Sequence, residues 1–349
     1  MIKLCSDEIS WHCLNRFIIY VFQNWLCVVV MSIEAVCVGE ILVDIIPVEE
    51  GSYRDGMVFE IHFGGAPANV AIGIARLGHR SAFIGAVGDD QFGYMLKNFL
   101  ENEGVDIRWL VTKSARTSLA FVVRKSGGER DFFFYRDPWV KTADTMLTVN
   151  DIDVDSVVKT RIIHVSGVAT AYPPLSETVY AIMSRAFEKG LQVSIDPNYR
   201  QDIWGYGDKA LEVMDKYFRV STIITMGFEE LDNMFMTRDY KYVAEKIMRK
   251  YKNVEVVAIR LGAMGAYVKT RKEEVYKQAI KIKPVDTTGA GDAWTAAFIT
   301  FYILEGKDLE TSVMYSNIVA GLKCLKRGAV TAIPKRQEFE QYLNTVSAH

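Results

Sequence analysis

Asp286-Thr287-Thr288-Gly289-Ala290-Gly291-Asp292-Ala293 stands between an alternating run, Val275 to Val285, and a helical one, Trp294 to Leu304. The order predicts a strand, a glycine-rich turn and a helix. Such a turn aims several unpaired backbone N–H groups at one point, and the helix adds its positive end. That point attracts an anion, most often a phosphate. Asp292 follows the last glycine of the turn. A carboxylate beside an anion-binding turn is repelled unless it has a task, and taking the proton of an attacking hydroxyl is one. Capping the helix is the competing role.

Upstream, Glu34 to Ile46 reads as one nearly continuous apolar strand carrying Gly39, Glu40 and Asp44. Continuous apolar strands suit a parallel sheet covered on both faces, and charges at a carboxyl end suit a binding crevice. Residues 47–63 read as polar and irregular. Gly64-Gly65-Ala66-Pro67-Ala68-Asn69 then opens a helix that runs to Leu77. Pro67 suits the first turn and Gly78 the C-terminus. Two glycines at the helix entrance let a ligand approach the backbone. Asn69 offers both a donor and an acceptor.

Ser81 to Val87 reads as a strand and Gln91 to Glu103 as an amphipathic helix. From Ser118 to Arg136 the period becomes two, with a turn at Gly127-Gly128, which predicts a β-hairpin suited to a small lid. Strands follow near 161–166, 192–196, 220–225 and 254–260. Helices fall near 175–189, 208–217, 229–235, 240–251 and 309–326. This alternation predicts a doubly wound, mainly parallel sheet with helices on both faces. Asp196-Pro197-Asn198-Tyr199-Arg200 lies at a strand's carboxyl end, where open α/β sheets place ligand contacts.

The 349 residues carry 41 basic and 43 acidic side chains, a net charge of −2. No basic field argues for nucleic acid and no polybasic cluster for a membrane surface. Five cysteines show neither zinc spacing nor a disulfide framework, so a reducing cytoplasm is the expectation. The apolar stretch Phe17 to Val30 is short for a membrane span and lacks a small-residue cleavage site. Residues 1–30 therefore read as a non-native or disordered extension ahead of a natural start at Met31, with one domain over 31–349.

Two stretches carry a family resemblance. Gly64 to Ala71 with Arg76-Leu77-Gly78 resembles the first signature of the ribokinase (PfkB-type) sugar kinases, and Asp286 to Ala293 resembles the second. The likeness extends from Ile33 to about Leu343. Within the family, Gly39 to Asp44, Ala115-Arg116-Thr117 and Phe134-Tyr135-Arg136 resemble fructokinases. His164 to Gly167 and Asp196 to Arg200 with Trp204 resemble kinases of 2-dehydro-3-deoxygluconate, and those of 5-dehydro-2-deoxygluconate are similar too.

The resemblance implies ATP-dependent phosphorylation of a sugar hydroxyl, with fructose as first expectation and a sugar acid as the alternative. Asp292 would be the base, and the backbone of Gly289, Ala290 and Gly291 the anion hole. Asp44, Gly64, Gly65 and Asn69 would hold the sugar. Arg136 would close from a lid formed by about 42–65 and 115–137, and Arg200 would reach a phosphate or a substrate carboxylate. Arg260, Gly262, Gly265 and Asn317 match nucleotide-side positions, Arg260 standing where ribokinases carry threonine. Glu230 matches the acidic position tied indirectly to Mg²⁺, and Asp286 and Thr288 match a monovalent cation site for K⁺. The aromatic strands of the lid suggest a homodimer. A nicotinamide-dependent oxidoreductase would call for a G-x-G-x-x-G after the first strand, which Gly64-Gly65-Ala66-Pro67 does not provide.

Overall fold

The computed structural model describes residues 18–22, 25–29, 32–124, 130–205 and 207–347. The strands are β1 (Ile18–Phe22), β2 (Trp25–Val29), β3 (Ala35–Val38), β4 (Leu42–Pro47), β5 (Phe59–Gly64), β6 (Ser81–Gly88), β7 (Asp106–Lys113), β8 (Ser118–Arg124), β9 (Arg130–Tyr135), β10 (Ile162–Ser166), β11 (Gln192–Asp196), β12 (Ile223–Gly227), β13 (Val256–Arg260), β14 (Ala266–Thr270) and β15 (Glu274–Lys277). Of the N-terminal thirty residues, β1 and β2 are described, as an antiparallel pair; Met31, Cys5, Cys13 and the Gly127-Gly128 turn lie outside the described residues.

The main sheet has nine strands in the order β15-β14-β13-β12-β11-β10-β3-β6-β7. All neighbours from β13 to β7 run parallel, and β14 and β15 add an antiparallel edge. The apolar strands feed two layers by alternation. Val36 and Val38 of β3 join one core with Ile163, Ile224 and Val257, while Ala35 and Cys37 join the other with Ile162, Ile223 and Val256. The first core is covered by the helices Leu175–Glu188, Gly207–Phe218, Phe228–Phe235 and Tyr240–Lys250. Helices Ala66–Arg76, Ala290–Phe298 and Leu309–Cys324 cover the second. Each fully buried Val or Ile contributes about 1.5–3 kcal/mol, so both faces need a helical layer. No described helix is long and apolar enough to cross a membrane.

The expected single strand over 34–46 is two strands in two sheets. Gly39 breaks it with φ +146°, and a Cβ there would lie 3.0 Å from the Pro67 ring and 3.1 Å from Ala169. Beyond Gly39 the chain leaves the main sheet and becomes β4 of a smaller one, ordered β5-β4-β8-β9. β5 occupies part of the stretch expected to be irregular, pairing antiparallel with β4. The run Val275–Val285 is strand only to Lys277, because Lys277 pairs with Ala266, the first residue of β14, and the ladder ends there. The glycine turn is thus reached through irregular chain. Its helix runs Ala290–Phe298 and continues as a π-helix, Ile299–Leu304.

The first and last signature helices pack closely. A Cβ on Gly73 would stand 2.5 Å from the Ala296 Cβ. In a free helix Gly→Ala gains about 0.5–1 kcal/mol. Here overpacking costs about 1–3 kcal/mol and outweighs it. Gly73→Ala is expected to lower unfolding free energy by about 1–2 kcal/mol in urea titration, and a stabilised variant would contradict this packing.

Candidate active site

Gly65 precedes the Ala66–Arg76 helix with φ +112°, and a Cβ there would meet the Glu40 carbonyl at 2.5 Å. That contact lays the helix start against the β3–β4 break. Asn69, in the first turn, is buried and donates from Nδ2 to Asp292 Oδ2 at 2.7 Å, across 223 positions of chain. Its Oδ1 is buried with no protein partner. The two signatures therefore meet at one hydrogen bond, and one amide oxygen is left to accept from a ligand.

Gly289 caps the Ala290–Phe298 helix in the left-handed region, φ +74°. Ala290 N–H donates to the Thr287 carbonyl at 3.1 Å and closes the turn. Ala290 thus differs from its expected role, since its N–H is committed to the turn. Among the described residues Gly291 and Asp292, next in the helix, have no backbone acceptor for their N–H groups. Asp292's carboxyl is pushed above the usual range by burial, against the opposing pull of the Asn69 hydrogen bond and Arg260. A carboxylate held so is a better proton acceptor than a solvated one.

A cavity of about 100 Å³ joins these groups; Asp44, Gly65, Asn69, Arg200, Thr288, Gly289 and Asp292 all line it. Asp44 reaches it from β4 and is pushed up to about 7 by burial and by Asp292, with Arg200 opposing. A Cβ on Gly64 would strike the Asp44 carboxylate at 2.6 Å, so this glycine makes room for the side chain. Phe132 and Phe134 of β9 and Ala120 of β8 form the apolar wall. A wider cleft of about 580 Å³ continues past Phe132, Phe134 and Arg200 toward Glu229 and Asn233. The cavity is mixed, with hydroxyl-binding groups on one side and ring faces on the other, as polyol recognition requires.

Arg136 lies elsewhere than expected. It is 1% exposed and does not line the cavity. Its guanidinium donates to Asp144 Oδ2 at 2.9 and 3.2 Å, and Asp144 also accepts from Thr142 and Ser118. This is a buried ion pair at the base of the lid, and freeing Arg136 would leave Asp144 buried and unpaired.

Arg260 is likewise committed. It pairs with Asp196 and donates to Thr295 Oγ1 at 2.8 Å, beneath the first turn of the helix after the glycine turn. Glu230 accepts from the backbone N–H of Tyr199 at 3.0 Å and of Gly227. Burial and Asp196 hold its carboxyl above the usual range, against Arg260. Asn317 accepts from Trp294 Nε1 at 2.8 Å and donates to the carbonyls of Lys277 and Gln278. Gly265, φ +104°, packs against Lys277–Ala279, and Gly262 begins the same β13–β14 loop. Gly262, Gly265 and Asn317 thus gather at the end of β15, outside the cavity lining.

Asp286 Oδ1 accepts the Thr288 N–H at 3.0 Å and Oδ2 the Gly328 N–H at 3.0 Å. Burial opposes its ionisation, but these bonds and Lys323 hold it down at about 2. Among the described residues, no group of three His, Cys, Asp or Glu side chains is placed to hold a metal ion.

Glu40, in the sequence a charge suited to a binding crevice but without a role of its own, belongs to the site. It lines the cavity, is 3% exposed, and accepts from Ser166 Oγ at 2.9 Å and Ala66 N–H at 3.3 Å through Oε1. Oε2 is buried without a partner. The signal was its position directly after Gly39 in an otherwise apolar stretch. Asn198, φ +43°, also lines the cavity and holds Ser166 Oγ at 3.3 Å.

Comparison with known proteins gives a consistent result. The pfkB family of carbohydrate kinases matches residues 32–336. A probable chloroplastic fructokinase-6 of Arabidopsis thaliana is 35% identical over 318 residues, covering 88% of this chain and 82% of the relative. A fructokinase from Xylella fastidiosa solved with bound ATP superposes with a TM-score of 0.80 at 26% identity, over 90% of this chain and 99% of that one. A double mutant of a Vibrio cholerae fructokinase with fructose, ADP and potassium ion bound gives 0.76 at 29% identity, over 89% and 98%.

Glu40, like Asp44, is pushed up to about 7, by burial against the opposing Arg136. A carboxyl whose pKa is higher folded than unfolded stabilises the fold below the unfolded value, about 4, and loses that contribution as pH rises through about 7. Melting temperature is therefore expected to fall between about pH 5 and pH 8, and Glu40→Gln to flatten the fall by on the order of 1–3 kcal/mol. Equal slopes for the two proteins would contradict the burial of an ionisable Glu40.

Proposed function

The chain belongs to the pfkB family of carbohydrate kinases, and we propose that it transfers the γ-phosphoryl group of ATP to a hydroxyl of fructose with Asp292 as the base. The observation that carries this is the placing of Asp292 between the cavity lined by Asp44 and Asn69 and the free N–H groups at the start of its helix. A sugar held by Asp44, Asn69 Oδ1 and Glu40 presents one hydroxyl to Asp292. The carboxylate takes the hydroxyl proton as the oxygen attacks the γ-phosphorus. The bond to the β-phosphate oxygen breaks, ADP leaves, and the proton passes from Asp292 to solvent. Charge gathering on the transferring group meets N–H groups that are fixed in advance, so little reorganisation is needed.

Arg200, which lines both cavity and cleft, supplies positive charge that opposes the burial of Asp44. The loop cluster of Gly262, Gly265 and Asn317 is the nucleotide's side. Magnesium bound with ATP would neutralise phosphate charge, and Glu230, its oxygens given to backbone N–H groups, would bear on it only indirectly. The sheet β5-β4-β8-β9 is the lid, and its closure excludes water from the reaction.

Fructose is preferred to a sugar acid because the named relatives are fructokinases. ADP release with Mg-ATP and a sugar panel tests this. Fructose is expected to be turned over, and Asp292→Asn to lose about 10²–10⁴ in kcat. Turnover of 2-dehydro-3-deoxygluconate without fructose would overturn the assignment.

The lid also presents Ile61 and Tyr135, 53% and 54% exposed, on the side away from the cavity. We assign that face to a homodimer contact. Light scattering is expected to give twice the chain mass, and a monomer mass would refute it.

A further inference from the structure

Lys323 has 0% exposure, in the last turn of the Leu309–Cys324 helix. Lysine is almost never fully buried unless paired, because an ammonium taken from water needs oxygen partners in exchange. A lysine at a helix C-terminus ordinarily turns to its own last carbonyls. Lys323 instead donates from Nζ to the backbone carbonyl of Asp286, at 2.7 Å. Asp286 opens the anion-binding turn. Its backbone N–H donates to the Cys324 carbonyl at 3.2 Å, and its carboxylate holds Thr288 and Gly328. One residue thus ties the turn to the helix end and to the following loop, and the ammonium sits at that junction.

Asp286 and Thr288 are the positions expected to hold a monovalent cation. Such an ion needs oxygens with open lone pairs. Each carboxylate oxygen of Asp286 already accepts a backbone N–H, and its carbonyl already faces a positive charge. A free ion here would share oxygens already engaged and stand against the Lys323 ammonium, so the built-in charge takes its place.

We propose that Lys323 takes the part of a bound monovalent cation, positioning the anion-binding turn through the Asp286 carbonyl and leaving the enzyme independent of K⁺. The inference rests on the reading of this site as a phosphoryl-transfer centre. Lys323 is a positioning residue and does not touch substrate. Its charge is covalently fixed, so the turn is held without a binding equilibrium, and a buried charge is weakly screened. A neutral side chain of similar length would fill the space without holding the carbonyl. A small one would leave room for an ion.

The test compares wild type, Lys323→Ala and Lys323→Met in the chlorides of tetramethylammonium, Na⁺ and K⁺ at about 0.15 M. Two quantities are read: ADP formation from Mg-ATP and fructose, and the melting temperature without ligands. The wild-type rate is expected to agree within about twofold in all three salts, below the usual range of an allosteric coupling. Lys323→Ala is expected to lose about tenfold or more in tetramethylammonium, to recover in K⁺, and to melt higher in K⁺. Lys323→Met is expected to lose rate without recovery. A wild-type rate raised severalfold by K⁺ would overturn the proposal, as would a loss in Lys323→Ala that no cation repairs. If neither variant folds, the wild-type salt response decides alone. If no sugar is phosphorylated in any salt, the kinase assignment fails. The cation claim then stands or falls on whether K⁺ stabilises Lys323→Ala but not wild type.

Discussion

The 2.7 Å hydrogen bond from Asn69 to Asp292 depends on how closely two helices approach. Gly73 faces Ala296 with no room for a methyl group between them, and only that spacing lets an amide in the first turn of one helix reach a carboxylate in the first turn of the other. A hydrogen bond to a charged group contributes about 1.5–3 kcal/mol, yet its larger consequence is geometric. It fixes one carboxylate oxygen of Asp292 and, in the mechanism proposed, leaves the other for a substrate hydroxyl. A near-attack geometry of this kind is where most of the rate of a phosphoryl transfer originates.

Around that bond the charges are arranged in opposition. Glu40, Asp44 and Asp292 gather at one cavity, a repulsive set in a low-dielectric place. Arg200 faces it, Arg136 lies behind Glu40 with Asp144, and Arg260 lies under the helix start with Asp196. Only Arg200 lines the cavity. The other two are held in ion pairs and act through their field on the carboxylates beside them. Burial raises the Asp44 and Glu40 carboxyls to about 7, and Arg200 and Arg136 oppose that rise.

What the sequence disclosed follows from what a local segment must do. Gly64 to Asn69 and Asp286 to Ala293 could be read because backbone geometry at Gly65 and Gly289 admits little besides glycine. The doubly wound sheet could be read because buried parallel strands need apolar residues on both faces. The split at Gly39 could not, since the apolar pattern runs on through it while the chain changes sheet. Nor could the end of β15, where Ile280 packs on Gly321 and keeps the run apolar without a strand. The resemblance put Arg136 at the sugar, closing from the lid, but its partner is Asp144, and only the folded chain brings that pair together. Lys323 in an apolar helix reads as a solvated charge until its burial is seen.

The proposed transfer turns on one hydroxyl meeting one carboxylate. A crystal structure with fructose and a non-hydrolysable ATP analogue would show it directly. A fructose hydroxyl is expected within about 3 Å of the Asp292 oxygen not held by Asn69, in line with the γ-phosphate at the Gly289–Gly291 turn. Fructose bound with no hydroxyl in reach of Asp292, or a γ-phosphate away from that turn, would contradict it.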